Sequence, residues 1–284
     1  MRIETNSAIL DVYCIKRGEA ALKCVLVTGA CGGMGSAVVA QLRDAGYTVF
    51  AMDITLHAPE HNVIPVKADI TSEASLQEAF FQVSSVTDSL HAIIHFAGMY
   101  MLDSLVEVSN EAFEQIFNVN IMGAYRVNKT FLPLLNAGSR IVITTSELAP
   151  LDPLPFTGLY AITKSALDKY AYALRMELQL LGIRVSVLRP GAVQTGMLGV
   201  STNALDRFCD QTQLYACNAK RFKKIVDTVE SRNISPDIVA KKVHRILRSK
   251  HPRYVYSLNR NPLLLLLNVL PHRLQNHIIK VILK

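Results

Sequence analysis

Apolar residues along the chain fall into short dense runs separated by longer stretches of helical spacing. Cys24-Val25-Leu26-Val27 is such a run, rich in β-branched residues, and it reads as a buried strand. Runs of this kind predict strands at 24–28, 47–53, 63–66, 92–96, 139–145, 184–189 and 253–257. Between them the apolar positions predict helices at 34–45, 72–83, about 110–136, 160–181 and 236–249. The last has a clear start, with Ser235 as N-cap and Pro236 at the first helical position. Buried strands alternating with helices predict the α/β class, a doubly wound parallel sheet in a single domain. Residues 1–22 lack a pattern and are read as an N-terminal extension, 23–258 as the domain, and 259–284 as a Leu-rich, basic C-terminal helical extension.

Polar positions change the picture most in that tail. Leu274, Ile278, Val281 and Ile282 fall at i, i+4, i+7 and i+8, beside a basic strip of Arg273, His277, Lys280 and Lys284. Such a helix, preceded by Leu263–Leu267, either makes peripheral contact with an anionic membrane or packs on protein. The net charge of +7 is uneven: residues 218–284 hold 15 Lys/Arg against three Asp/Glu, while residues 1–217 hold 15 against 20. The basic excess therefore belongs to the last quarter, which speaks against nucleic-acid binding by the domain. Half the residues are hydrophobic, as in a globular protein. The five cysteines have no metal or redox spacing, and a reducing compartment fits them best. No secretory signal pattern and no apolar run of membrane-spanning length is present, so a cytoplasmic location is expected, peripheral to a membrane if the tail binds one.

Candidate chemistry begins where the first strand ends. Thr28-Gly29 breaks the run, and Gly32, Gly33 and Gly35 follow before helical spacing resumes. A strand, glycine loop and helix N-terminus present backbone N–H groups to an anion such as a pyrophosphate. An ordinary tight turn is the alternative. Asp53, 24 positions after Gly29 at the end of the second strand, favours the ligand reading. An acidic residue there accepts from both ribose hydroxyls and repels a 2′-phosphate. Asp69 at the next strand end either accepts from an adenine amino group or caps the following helix.

Tyr160 and Lys164 stand at i and i+4 on one helical face. A free tyrosine titrates near ~10, and a nearby ammonium is expected to lower that value and make a general acid/base. Ser146 ends the preceding strand, 14 positions upstream, where its hydroxyl can hold a substrate oxygen. Asn120 lies inside the long helix before that strand, where a polar amide can bend the helix.

Together these motifs resemble the classical short-chain dehydrogenases/reductases over residues 24–195, in the expected order. The resemblance implies a Rossmann fold with Asn120, Ser146, Tyr160 and Lys164 as catalytic residues. It implies cofactor contacts from Gly29, Gly33, Met34, Gly35, Asp53, Asp69, Ile70, Ala97, Gly98, Tyr160, Lys164, Pro190, Gly191, Val193 and Thr195, with NAD preferred over NADP and no metal. The family usually has Asn where Phe96 stands, a structural role whose loss is expected to loosen the central sheet. The Ser146–Tyr160 interval is also one residue longer than usual, which puts the fit of Ser146 in question.

In this family the stretch after Thr195 closes over substrate. Met197 and Leu148, with Ser146, Tyr160 and Met99, are the expected substrate contacts, and their apolar character suggests an apolar alcohol or ketone. The later layout resembles the hydroxysteroid and retinol dehydrogenase branch. A non-catalytic dinucleotide-binding sensor is the competing class; it predicts decay of the catalytic pair, which is intact. Apolar residues such as Phe131, Leu132, Leu134, Leu135, Leu167, Tyr170, Leu174 and Leu178, on more than one side of the long helices, suggest a homodimer or homotetramer.

Overall fold

The computed structural model describes residues 23–230 and 232–284, with the side chains of all of these except 196–203 and 227–230. Seven strands form one parallel sheet: β1 (Cys24–Thr28), β2 (Thr48–Asp53), β3 (Val63–Lys67), β4 (Leu90–His95), β5 (Leu135–Thr144), β6 (Arg184–Pro190) and β7 (Val255–Leu258). Their order is β3-β2-β1-β4-β5-β6-β7. The chain winds outward from β1 to β3, returns to pair β4 with β1, and continues the other way. The switch point lies beyond the C-terminal ends of β1 and β4, where a crevice opens in such sheets.

Strand residues divide between two cores by their period of two. Cys24, Leu26, Phe50 and Met52 join one cluster, and Val25, Val27, Val49 and Ala51 join the other. The first cluster is covered by α2 (Glu73–Ser84), α4 (Ala124–Phe131) and α5 (Gly158–Leu178), the second by α1 (Gly33–Asp44) and α8 (Pro236–Arg248). Because both faces are covered, β1 is apolar and buried apart from its last residue, Thr28, which is buried too.

A third, smaller cluster forms over the C-terminal end of the sheet. Leu205 and Phe208 of α6 (Gly196–Gln211), Ala219 and Phe222 of α7 (Ala216–Glu230), and Leu283 of α10 (His272–Leu283) make its centre. The stretch beyond Thr195 is built of two helices, and α9 (Pro262–Val269) occupies the Leu-rich stretch before α10.

The expected helix over 110–136 is broken into pieces. It comprises α3 (Asn110–Phe117), a π-helical segment Asn118–Gly123, α4, and a 3₁₀ turn Leu132–Leu134 containing Pro133; β5 already starts at Leu135. The bend attributed to Asn120 is therefore a π segment. Ser235 caps α8 as expected, accepting from Asp237 N–H, with Pro236 in the first turn. At α2 the cap is Ser72, which accepts from Ser75 N–H, so Asp69 is not the cap. Its carboxylate instead accepts from the backbone N–H and hydroxyl of Thr71.

The sheet closes tightly around Phe96 rather than loosening there. Phe96 N–H donates to Thr28 O (3.0 Å), and Ala97 N–H donates to Thr28 Oγ1 (3.2 Å). Most of the apolar helix residues offered for subunit contact are core residues: Phe131, Leu134, Leu135, Leu167 and Leu178 are buried, with Tyr170 and Leu174 packed against them. Of that set only Leu132 is exposed.

Candidate active site

The loop after β1 is built by close approaches that exclude side chains. Gly29 has φ +67°, and a Cβ there would stand 2.5 Å from Ala97 N. A Cβ on Gly35 would stand 2.0 Å from Gly29 O. These two glycines therefore serve contacts of protein with protein, and Gly33 abuts Thr195. The loop delivers the N-terminus of α1 to the C-terminal edge of the sheet. Asp53, at the end of β2, accepts from Cys31 N–H of this loop (2.9 Å) and from Thr55 N–H (3.2 Å). Ile70 packs against Gly123 in the π segment.

On the other side of the switch point, β5 ends in Thr144-Thr145-Ser146 and α5 presents Tyr160 and Lys164 to it. Lys164 Nζ donates to Thr144 O (3.3 Å) and lies 5.6 Å from the centre of the Tyr160 ring. Asn120 is buried and fully engaged. Its Oδ1 accepts from Met99 N–H (2.8 Å), and its Nδ2 donates to Met99 O (3.0 Å) and Thr163 Oγ1 (3.0 Å). The amide thereby locks the turn after β4 to the helix carrying Tyr160. Gly98 leaves the room for this: a Cβ there would stand 3.2 Å from Asn120 Oδ1 and 3.5 Å from Lys164 Nζ. Ser146 Oγ accepts from Leu148 N–H (3.1 Å) and is hydrogen-bonded to Tyr160. The longer Ser146–Tyr160 interval is absorbed by turns at 146–149 and 148–151, and by Phe156 at φ +66°.

The electrostatics differ from the simple expectation that lysine lowers the tyrosine. Burial pushes the Tyr160 phenol above its ordinary value, neighbouring Tyr100 adds to this, and the Ser146 hydrogen bond opposes it. Burial also lowers Lys164 to about 8. Tyr160 thus holds its proton firmly at neutral pH, while Lys164 stays mainly protonated.

A cavity of about 230 Å³ lies against these groups. Met34, Gly98, Met99, Ser146, Leu148, Tyr160, Lys164, Pro190, Gly191, Val193 and Thr195 all contribute to its wall, so eleven of the expected site residues meet at one place. Gly29, Gly33, Gly35, Asp53, Asp69, Ile70 and Ala97 do not line it; most belong to the β1–β3 half of the edge. The side chain of Met197 lies outside the described ones. Sequence reading missed Tyr100, whose ring centre is 4.8 Å from that of Tyr160, and Thr163, inside the Tyr160–Lys164 interval itself. It also missed Glu147, Phe222 and Leu264 in the cavity wall. Glu147 Oε2 accepts from Asn261 N–H (2.7 Å), and burial pushes its carboxyl up.

These residues fit a dinucleotide. From Asp53 through the α1 N-terminus to Lys164, the edge offers acceptors for ribose hydroxyls, then backbone donors for phosphates, then a cavity. Thr144 Oγ1, in that cavity wall, is buried with no hydrogen-bond partner, a polar atom left for a polar ligand.

Residues 23–206 match the family model described as short chain dehydrogenase. The uncharacterized oxidoreductase YbbO of Escherichia coli (strain K12) is 30% identical over 277 residues, covering 94% of this chain and 97% of its own. The 3-ketodihydrosphingosine reductase of Bacteroides thetaiotaomicron is 26% identical, covering 81% and 85%. Estradiol 17-beta-dehydrogenase 2 of Mus musculus is 27% identical, covering 82% and 67%. Among solved structures, a 3-ketoacyl-(acyl-carrier-protein) reductase from Brucella melitensis complexed with NADH superposes with TM-score 0.68 at 21% identity, over 83% of this chain and 96% of its own. An alcohol dehydrogenase from Thermococcus sibiricus complexed with 5-hydroxy-NADP gives 0.68 at 22%, over 84% and 97%.

Proposed function

Since the chain belongs to the short chain dehydrogenase family, we propose that it interconverts an apolar alcohol and its ketone or aldehyde, with NAD(H) preferred over NADP(H). The observation that carries this reading is the meeting of Ser146, Tyr160 and Lys164 on one side of a cavity whose remaining wall is mainly apolar, with Met99, Leu148, Leu154, Phe222 and Leu264. A steroid, retinoid or long-chain ketone suits such a wall. The names of the sphingosine and estradiol relatives point the same way.

The bound nicotinamide would supply the hydride acceptor or donor. Everything else falls to this chain. Ser146 Oγ holds the substrate oxygen. In reduction, the Tyr160 hydroxyl gives its proton to that oxygen as hydride reaches carbon, and the resulting phenolate regains a proton from solvent. In oxidation the Tyr160 phenol first releases its proton to solvent, and the phenolate, with the Lys164 ammonium 5.6 Å from its ring centre, then accepts the alcohol proton as hydride leaves carbon. Asn120 holds the turn at Met99 and the helix at Thr163 in register. Asp53 receives the adenosine ribose hydroxyls and disfavours a 2′-phosphate, which supports the NAD preference.

A homodimer or homotetramer would use the exposed Phe113, Met122, Tyr125, Tyr172 and Met176. Among the described residues no helix is long and apolar enough to cross a membrane; a cytoplasmic location belongs to this proposal. The sensor reading predicts decay of the catalytic set, whereas Asn120, Ser146, Tyr160 and Lys164 are all present in the chain, which supports the enzyme. The test is absorbance of NADH and NADPH with a panel of ketosteroids, retinaldehyde and aliphatic ketones, and of NAD with the matching alcohols. Oxidation of NADH by an apolar ketone, lost in Tyr160→Phe, is expected. Dinucleotide binding without turnover on any of the panel would favour the sensor, and equal efficiency with both cofactors would remove the role given to Asp53.

A further inference from the structure

Most of the apolar stripe of α10 faces outward, with Ile278 alone of its four residues half-buried. The residues by which α10 seats itself are Gln275, Ile279 and Leu283. Leu274, Val281 and Ile282 are left 45%, 64% and 51% exposed. On α9 the same holds for Leu263, Leu266 and Val269, at 66%, 63% and 82%, three large apolar residues spaced along one face.

Both helices are firmly held from behind. Asn261 Oδ1 caps α9 by accepting from Leu263 and Leu264 N–H, and Glu147 accepts from Asn261 N–H. Asn268 Oδ1 accepts from Asp152 N–H (2.7 Å). Asn218 Nδ2 donates to Leu283 O (2.7 Å), and Gln275 Nε2 donates to Leu270 O (2.8 Å). The outward apolar face therefore belongs to seated helices, not to frayed ends. A concentration of exposed large apolar residues marks an interaction surface.

Charge decides what that surface meets. Residues 259–284 contain four Lys/Arg (Arg260, Arg273, Lys280 and Lys284) and no Asp/Glu, and all four are exposed. Two copies joined through this face by a two-fold axis would bring like charges together. An anionic lipid surface complements the charge and absorbs the apolar side chains.

We infer that α9 and α10 form a docking surface for anionic phospholipid bilayers. α9 has a second consequence: Leu264 lines the catalytic cavity while Leu263 and Leu266 face outward. A docked bilayer would thus lie one helix away from the cavity. Delivery of an apolar alcohol or ketone by this route rests on the function proposed above; docking itself does not.

The test is co-sedimentation of the full chain with phosphatidylcholine vesicles, with and without about one-third phosphatidylserine. Binding to the anionic vesicles and its weakening by salt are expected. Each basic residue at such a surface contributes roughly fivefold to partitioning. Lys280→Gln with Lys284→Gln should therefore lower binding at least fivefold, as should Leu266→Glu and Val281→Glu. Phe81→Glu, an exposed apolar site on α2, should change nothing. Turnover of a water-soluble ketone should be unaltered in Leu266→Glu, which separates failure of docking from failure of the oxidoreductase reading. Indifference to lipid charge, or equal loss in Phe81→Glu, would overturn the proposal. So would an oligomer that Leu266→Glu splits in light scattering without any effect of lipid.

Discussion

On the floor of the cavity, the catalytic candidates are held by hydrogen bonds to backbone. Asn120 grips both sides of Met99, Lys164 reaches Thr144 O, and Ser146 accepts from Leu148 N–H. On the roof, α6 and α7 are held mainly by rings. Phe156 contacts Phe208, Tyr215 and Phe222 at centroid distances of 4.7, 5.3 and 5.5 Å. Polar ties among the described residues there include Glu107 accepting from Thr212, Gln213 and Leu214 at the α6–α7 junction, the Lys223–Asp206 pair, and Asn218 donating to Leu283 O. Hydrogen bonds fix direction, whereas apolar packing tolerates rearrangement among shapes of similar volume. A floor of the first kind preserves reaction geometry, and a roof of the second kind can be refitted to new substrates.

Replacing single residues on each side should separate the two. Tyr160→Phe should lower turnover by about 10²–10⁴-fold, with dinucleotide affinity little changed in a binding titration. Near-normal turnover would mean that another group moves the proton. Asp53→Ala removes an acceptor of charge-assisted hydrogen bonds and should shift the NAD/NADP efficiency ratio by about 10–100-fold, leaving the spectrum of substrates unchanged.

Lys164→Met tests what the floor costs. Lys164 titrates near 8 in the folded protein against 10.5 ordinarily. Between these values the unfolded chain holds more protons, so the penalty of burying this charge is fully present below pH 8 and fades as pH rises toward 10.5. The variant should be more stable in urea at pH 7 by about 1–3 kcal/mol, with the gain shrinking at pH 10 and activity lost. Equal gain at both pH values would deny the charge any role. The smallest effect belongs to the roof. Phe156→Ala should raise KM for an apolar ketone by about three- to tenfold through lost ring contacts, while cofactor affinity and the Asp53-dependent ratio stay fixed. A change in cofactor affinity would show that roof and floor are not separable.

The same contrast explains what was legible in the chain. Strand ends announce themselves because a buried apolar run must stop where polar chemistry starts, so Asp53, Gly98, Ser146 and Pro190 could be placed without coordinates. The roof helices could not. Leu205, Phe208 and Phe222 become a face only in contact with Phe156, itself in a left-handed conformation unusual for phenylalanine. The run Leu132–Leu135 reads as helix, yet it holds a 3₁₀ turn and the first residue of β5; Pro133 was the one local sign. Tyr160 was found by its spacing from Lys164, but the sign of its pKa shift depends on burial and on Tyr100, which spacing cannot supply. The tail helix was visible as amphipathic, although its periodicity did not say that Gln275, Ile279 and Leu283 would turn inward.

The π segment Asn118–Gly123 carries more residues per turn than the α-helices on either side. Loss of a single codon within it would let the helix close as an ordinary α-helix, with backbone hydrogen bonding intact. The π turn takes up the extra residue, so α3 and α4 would keep nearly the same facing; the loss would fall on the segment itself, from which Asn120 reaches Met99 and Thr163. An in-frame deletion at this spot would then leave a standing sheet with its reactive end unkeyed, a lesion that a stability screen would pass and only an assay of chemistry would detect.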